Sequence, residues 1–346
     1  MIENFWLFLP LLLLAIITHI GTLTLLANKR RALPPYRKDV KQSTMDDDHD
    51  TSMITDFGVL SAIVTLAVPF TVYDAAPLNQ AALRAVCFFY ACKILDLSLT
   101  KRDQPPTRLI RNGTSLQPAP MTTTWNLIIY AYYLLTEMRY HSFDIAVTQK
   151  GRAKVHAKPF WYKLLWTIGP LFLLPTATYY LPVPGLKAAC LLLLIQHALE
   201  LVHKSLHYGH SEPEFLLPFS AATLAEFWGT HWQGAASPFL QSLAHRPVRK
   251  FGGSRAQAIL AVFCLTGIWH GWAAAPLCTR PWLLGVEVWL LFVGFGAGIL
   301  AEKWVWRGRQ GGVVQRVCVW TYALTLAGVC WRTLELSSKI GIIRSA

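Results

Sequence analysis

Ser220-Ala-Ala-Thr-Leu-Ala-Glu-Phe-Trp-Gly-Thr-His-Trp-Gln233, followed by Phe263-Cys-Leu-Thr-Gly-Ile-Trp-His-Gly-Trp272, decides how this chain is read. Both stretches lie in the segment from Phe215 to Trp272, and each places ionisable groups in an apolar setting: Glu226 and His231 with Gln233, then His270. A charged group in hydrocarbon costs at least ~2.5–3.5 kcal/mol on insertion scales, so such residues are functional candidates by default. The first stretch is aromatic and too polar to span a bilayer alone. Polar backbone at membrane depth must lie against protein or a water-filled cavity, so a re-entrant or amphipathic segment is expected here.

The surrounding chain has the composition of a membrane protein. Of 346 residues, 53% are hydrophobic and 15% charged, and the mean hydropathy is +0.36. Soluble domains carry roughly 25% charged residues. The net charge of +13 sits in loops between apolar runs, a pattern that orients a membrane protein rather than one that binds nucleic acid. None of the seven cysteines forms a CxxC pair, which leaves zinc and redox motifs unsupported.

The expected fold is all-α, a polytopic helical bundle of about eight transmembrane helices forming one membrane domain over 1–346, with its motif core at 215–272. The spans are read at Phe5–Ala27, Phe57–Tyr73, Ala81–Leu99, Leu164–Leu181, Leu186–Val202, Gln257–Ala275, Trp282–Ala301 and Val317–Leu336. Eight spans place every strongly basic loop on the cytoplasmic side and both termini in the lumen. The acidic run Asp46–Asp50 reads as a solvated loop. Lys93 and Asp96, at i and i+3 within the third span, are expected to neutralise each other. The hydrophilic stretch 101–163 is expected in the cytoplasm, with an interfacial helix at Trp125–Leu135. His19 reads as a structural histidine facing the bundle.

Among the candidate site residues, His270 is the sharpest. Gly267 and Gly271 flank it and let a substrate or a neighbouring helix come close. A neutral imidazole there can take a proton from an alcohol; the alternative is a histidine satisfied by a neighbouring helix.

These residues carry a resemblance. The block SAATLAEFWGTHWQ is similar to the wax synthase-type signature, in which Ser-Leu and two further residues precede Phe-Trp-Gly-Arg-Arg-Trp and then His or Asn. FCLTGIWHGW resembles the Phe-x-x-Ser-Gly-x-x-His segment of the same group, the membrane-bound O-acyltransferases. Phe227, Trp228, Gly229 and Trp232 match; Thr230 and His231 stand at the two arginines, Gln233 at the His or Asn, Thr266 at the Ser and His270 at the catalytic His.

The resemblance implies direct acyl transfer from acyl-CoA to a hydroxyl, with His270, Gln233 and His231 catalytic. It places substrate on Glu226, Phe227, Trp228, Trp232, Thr266 and Trp269, and CoA phosphates on Arg246, Arg249, Lys250 and Arg255. No metal or tightly bound cofactor is implied; acyl-CoA is a co-substrate. The fungal branch that acetylates terpenoid hydroxyls is the most similar, which implies acetyl-CoA, a hydroxylated apolar acceptor and the endoplasmic reticulum membrane. Long-chain wax ester synthesis is the alternative. A membrane di-iron oxygenase would draw on His203, His207 and His210, but the chain has no His-His pair. A transporter leaves the paired motifs unexplained.

The sequon Asn112-Gly113-Thr114 tests the orientation. The expected cytoplasmic placement leaves Asn112 without glycan in a eukaryotic host, and a mobility shift on endoglycosidase treatment would reverse the topology.

Overall fold

A computed structural model describes residues 5–33, 47–72, 76–112, 115–140, 142–145, 160–206, 221–232, 236–306 and 312–337. Its helices are α1 (Phe5–Ala32), α2 (Asp47–Ala67), α3 (Pro77–Leu95), α4 (Thr124–Thr136), α5 (Phe160–Tyr180) and α6 (Pro184–Leu206). They continue with α7 (Leu224–Glu226), α8 (Ser237–Leu240), α9 (Arg246–Lys250), α10 (Arg255–Ala274), α11 (Pro281–Trp306) and α12 (Val313–Ser337). Among the described residues, six helical segments are long and apolar enough to cross a bilayer: those of α1, α2, α6, α10, α11 and α12. The chain is a multi-pass membrane protein. Helices also stand at the other two expected spans, α3 and α5, outside those six. Helix α3 carries Arg84 and Lys93 within 19 residues, and the side chains of 160–164 and 166–167 in α5 are not among those described.

Several boundaries move for local reasons. Helix α2 starts at Asp47, ten residues before the expected span, so residues 47–50 of the acidic run are helix rather than loop, and Asp46 lies outside the described residues. Acidic residues favour a helix N-terminus, where the macrodipole is positive. Helix α10 starts at Arg255 because Ser254 and Gln257 form a reciprocal capping box, each side chain bonding the other's backbone N–H. The all-α expectation also needs one correction, a two-stranded antiparallel hairpin of β1 (Leu109–Asn112) and β2 (Ser115–Pro118). Asn112-Gly113 is a strong hairpin-turn signal, although residues 113–114 themselves lie outside the described set.

The chain clusters into two compact units, 1–76 with 82–148 and 236–247, and 77–81 with 149–235 and 248–346. In the first, α1 packs on α2 and α4. Ser61 and His19 link α1 to α2 through a 2.6 Å hydrogen bond. Tyr130 of the interfacial-type helix α4 is fully buried and donates to the Pro106 carbonyl at 2.9 Å. Burial pushes its phenol above the ordinary range, so it stays a neutral donor.

The expected Lys93–Asp96 pairing is not what this unit contains. Lys93 donates to the carbonyls of Leu135 (3.0 Å) and Glu137 (2.6 Å) and lies 4.7 Å from the ring centroid of Tyr140. Asp96 accepts from Thr100 and Lys101. A π-helical turn at Asp96–Thr100 breaks the helical register after α3, and the carboxylate turns to its own following residues. Burial lowers the Lys101 ammonium, and Asp96 opposes that shift.

In the second unit α6 packs on α5 and α12, α11 on α12, and α10 on α11. Lys187 of α6 pairs with Glu335 of α12 at 2.7 Å, and Trp331 donates to the same carboxylate oxygen at 2.7 Å. Gly267 and Gly271 set the approach of α10 to α11. A Cβ on Gly271 would sit 2.6 Å from the Gly285 carbonyl oxygen, and one on Gly267 would sit 3.0 Å from Trp289 Cα. Backbone cannot swing aside as a side chain can. Gly271→Ala is therefore expected to destabilise by about 1–3 kcal/mol, read as an earlier thermal transition in detergent.

Candidate active site

The motif segment begins with a single α-helical turn, α7. Thr223 is its N-cap, and its hydroxyl accepts from the Glu226 N–H at 2.9 Å. Glu226 reaches back to accept from the Ala222 N–H at 2.8 Å. The chain then widens into a π-helix, Phe227–Trp232. Such turns are rare and frequent at functional sites. Glu302 of α11 holds the start of the segment. Its carboxylate accepts from the Leu224 N–H at 3.0 and 3.2 Å and from the Ala225 N–H at 3.5 Å. Gln315 donates to it at 3.4 Å. The sequence reading passed over Glu302; its signal was a carboxylate near the end of a strongly apolar run.

Phe227 and Trp228 are buried in an aromatic cluster. The ring of Phe227 lies 5.5 Å from Trp320, while Trp228 lies 5.7 Å from Phe263, 5.4 Å from Phe292 and 4.9 Å from Phe295. Phe292 also lies 4.4 Å from the imidazole of His270, so this one ring contacts a residue of each motif. The indole N–H of Trp228 is buried with no hydrogen-bond partner among the described residues. An unsatisfied buried donor costs about 1–3 kcal/mol, which a ligand acceptor would recover.

His270 is half-buried, with its ring between Trp269 at 4.7 Å and Phe292. Its Nδ1 lies 2.9 Å from the Thr266 carbonyl oxygen. A carbonyl only accepts, so Nδ1 carries the hydrogen, and in the neutral ring Nε2 is left with its lone pair free. Thr266, fully buried, donates its own hydroxyl to the Val262 carbonyl at 2.8 Å. The arrangement is that of a base oriented by the backbone of its own helix.

Glu226 and His231 form a second polar group, Oε1 to Nε2 3.6 Å. His231 is buried and Glu226 partly exposed. Among the described residues neither hydrogen-bonds to His270. Trp232 is half-buried, and Gln233 lies outside the described set. Arg246, Arg249, Lys250 and Arg255 are all exposed. Arg249 donates to the Gly253 carbonyl at 2.9 Å, bracing a turn in which Gly252 has φ +83°. Of the histidines on the α6 face, His203 is buried, while His207 and His210 lie outside the described residues. An apolar cavity of about 370 Å³ runs between α10 and α11, lined by Gly267, Gly271, Trp272, Trp282 and Trp289. His270 is not in its lining.

Residues 211–293 match the model of the membrane bound O-acyl transferase family. The matched stretch runs from before the motif segment through α10 into α11, and includes Trp228, His270 and Phe292 but not Glu302. No curated protein and no solved structure matches the chain.

Glu302→Ala leaves the Leu224 and Ala225 donors without their acceptor. The expected result is a loss of about 1–3 kcal/mol in stability, with Glu302→Gln recovering part of it, both read by thermal unfolding in detergent.

Proposed function

We propose that this protein is a membrane O-acyltransferase that moves an acyl group from acyl-CoA to the hydroxyl of an apolar acceptor. The observation that carries the reading is His270, whose Nδ1 is committed to the Thr266 carbonyl at 2.9 Å while its Nε2 has no hydrogen-bond partner among the described residues. The family match over residues 211–293 supports the same chemistry.

In this mechanism His270 Nε2 takes the acceptor's O–H proton as the oxygen attacks the thioester carbonyl carbon. The tetrahedral intermediate then expels the coenzyme A sulfur, which recovers the proton from His270. The carbon–oxygen bond of the ester forms and the carbon–sulfur bond breaks, with no covalent enzyme intermediate. The buried, unpartnered Trp228 indole N–H is assigned as a donor to the developing oxyanion, with Gln233 and His231 assigned the positioning of the thioester. One such donor is worth roughly 2.7–4 kcal/mol in comparable sites. Arg246, Arg249, Lys250 and Arg255 are exposed cations that suit coenzyme A phosphates.

Within that class, the donor is proposed to be acetyl-CoA and the acceptor a hydroxylated terpenoid or related secondary metabolite, acted on at the endoplasmic reticulum membrane. This finer reading rests on the motif resemblance alone. Long-chain wax ester synthesis is its competitor, and the donor preference separates them.

His270→Ala is expected to lower turnover by about 10²–10⁴-fold while leaving the thermal transition and acyl-CoA binding near wild type. Steady-state acyl transfer with acetyl-CoA and with oleoyl-CoA checks both points. Undiminished turnover in a folded His270→Ala protein would remove the mechanism, and preference for the oleoyl donor would replace the acetyl reading with the wax ester one.

A further inference from the structure

The first unit contains a second polar cavity, of about 470 Å³, separate from the residues assigned to acyl transfer. Its cations come from two places in the chain. Arg30 and Arg31 stand in the last turn of α1. Arg108 stands just before β1, with its guanidinium stacked 4.3 Å from the ring centroid of Tyr133 on α4. Thr107 and Thr122 add hydroxyls, and Pro120 and Met121 form the floor.

The lining carries net positive charge. None of the three arginines has an ion-pair partner among the described residues, and the Arg108 Nε is buried with no hydrogen-bond acceptor. Among the described residues, no acidic side chain lines the cavity. The Asp144 carboxylate, which accepts from the Thr107 backbone N–H at 2.9 Å, is a neighbouring acid and offsets at most one of the three guanidinium charges. The carbonyl end of α1 contributes only about half a negative charge against the three guanidinium groups. Cations at the end of a spanning helix ordinarily serve topology and snorkel into water. Arg108 does not fit that account: it comes from a segment 77 residues later and is pinned by a stacked ring with a buried donor pointing to no acceptor.

We propose that this cavity binds a phosphate-bearing ligand. Guanidinium forks match phosphate oxygens and bind them through paired, charge-assisted hydrogen bonds. The cavity sits where α1 leaves its apolar stretch. Helix α4 beside it exposes Trp125 and Ile128, as an interfacial helix does. A phospholipid headgroup at the bilayer surface and the phosphate of a soluble nucleotide supply the same chemistry.

The test uses the full chain in neutral detergent, with thermal unfolding followed against dioctanoyl phosphatidic acid, dioctanoylglycerol and adenosine 3′,5′-diphosphate. The expected result is saturable stabilisation by at least one phosphate-bearing probe and none by dioctanoylglycerol. The Arg30→Gln/Arg108→Gln protein should bind that probe at least about tenfold more weakly. Arg108→Lys, which keeps the charge but loses the fork, and Arg30→Gln, which leaves the Tyr133 stack intact, should fall between. These two variants decide the matter if the double variant fails to fold. Response to phosphatidic acid identifies a lipid headgroup, and response to the nucleotide identifies a soluble phosphate. Either supports the site when the same binding is weakened in Arg30→Gln and Arg108→Lys, which separates it from the cations assigned to coenzyme A. Absence of saturable binding, or binding unchanged in Arg30→Gln and Arg108→Lys, overturns it. The proposal is independent of acyl transfer, because wild-type turnover in Arg30→Gln is compatible with either result.

Discussion

The carboxylate of Glu302 is the contact on which the candidate active site depends. A polypeptide at membrane depth has no water with which to satisfy backbone donors, so any departure from regular helix must find its acceptors in protein. The motif segment departs twice, with a fresh helix start at Leu224 and a π-helix from Phe227. Glu302 accepts the exposed N–H groups of the first turn, Thr223 takes that of Glu226, and Glu226 takes that of Ala222. With the backbone satisfied in this way, Phe227 and Trp228 can enter the aromatic cluster in one defined orientation.

The setting of His270, the proposed base, depends on the closeness of α10 and α11. The absence of side chains at Gly267 and Gly271 lets the backbones nearly touch. That closeness brings Phe292 of α11 against the His270 ring. One side of the imidazole is fixed by stacking, and Nδ1 by the Thr266 carbonyl. Rotation and tautomer are both constrained before any substrate arrives, the condition under which a base acts without reorganisation.

The first unit handles charge differently. Lys93 is buried but meets carbonyl dipoles and an aromatic face, and Asp96 is buried but meets Lys101 and Thr100. Charges in a dry environment are tolerated when their donors and acceptors are used up. Against that background the cavity of Arg30, Arg31 and Arg108 differs, because among the described residues no acidic side chain lines it.

Much of this was legible in the chain itself. Long apolar runs determined the multi-pass helical class, because hydrocarbon admits few other structures. The capping pair Ser254 and Gln257 and the Asn112-Gly113 turn are also local signals, since their partners are three residues away or fewer. His270 stood out as an ionisable group in an apolar run beside Gly267 and Gly271, and the resemblance to the acyltransferase motifs added Trp228. Tertiary structure decided what those residues meet. Glu302 lies 78 residues from the Leu224 N–H that it accepts, and no periodicity announces such a pairing. The Lys93–Asp96 spacing suggested a pair, but a π-helical turn redirected the carboxylate. Likewise Arg30 and Arg108 become one site only when α1, the hairpin and α4 pack together. Local sequence sets where helices run and how they are capped; which distant donor meets which acceptor depends on packing, which sequence spacing does not encode.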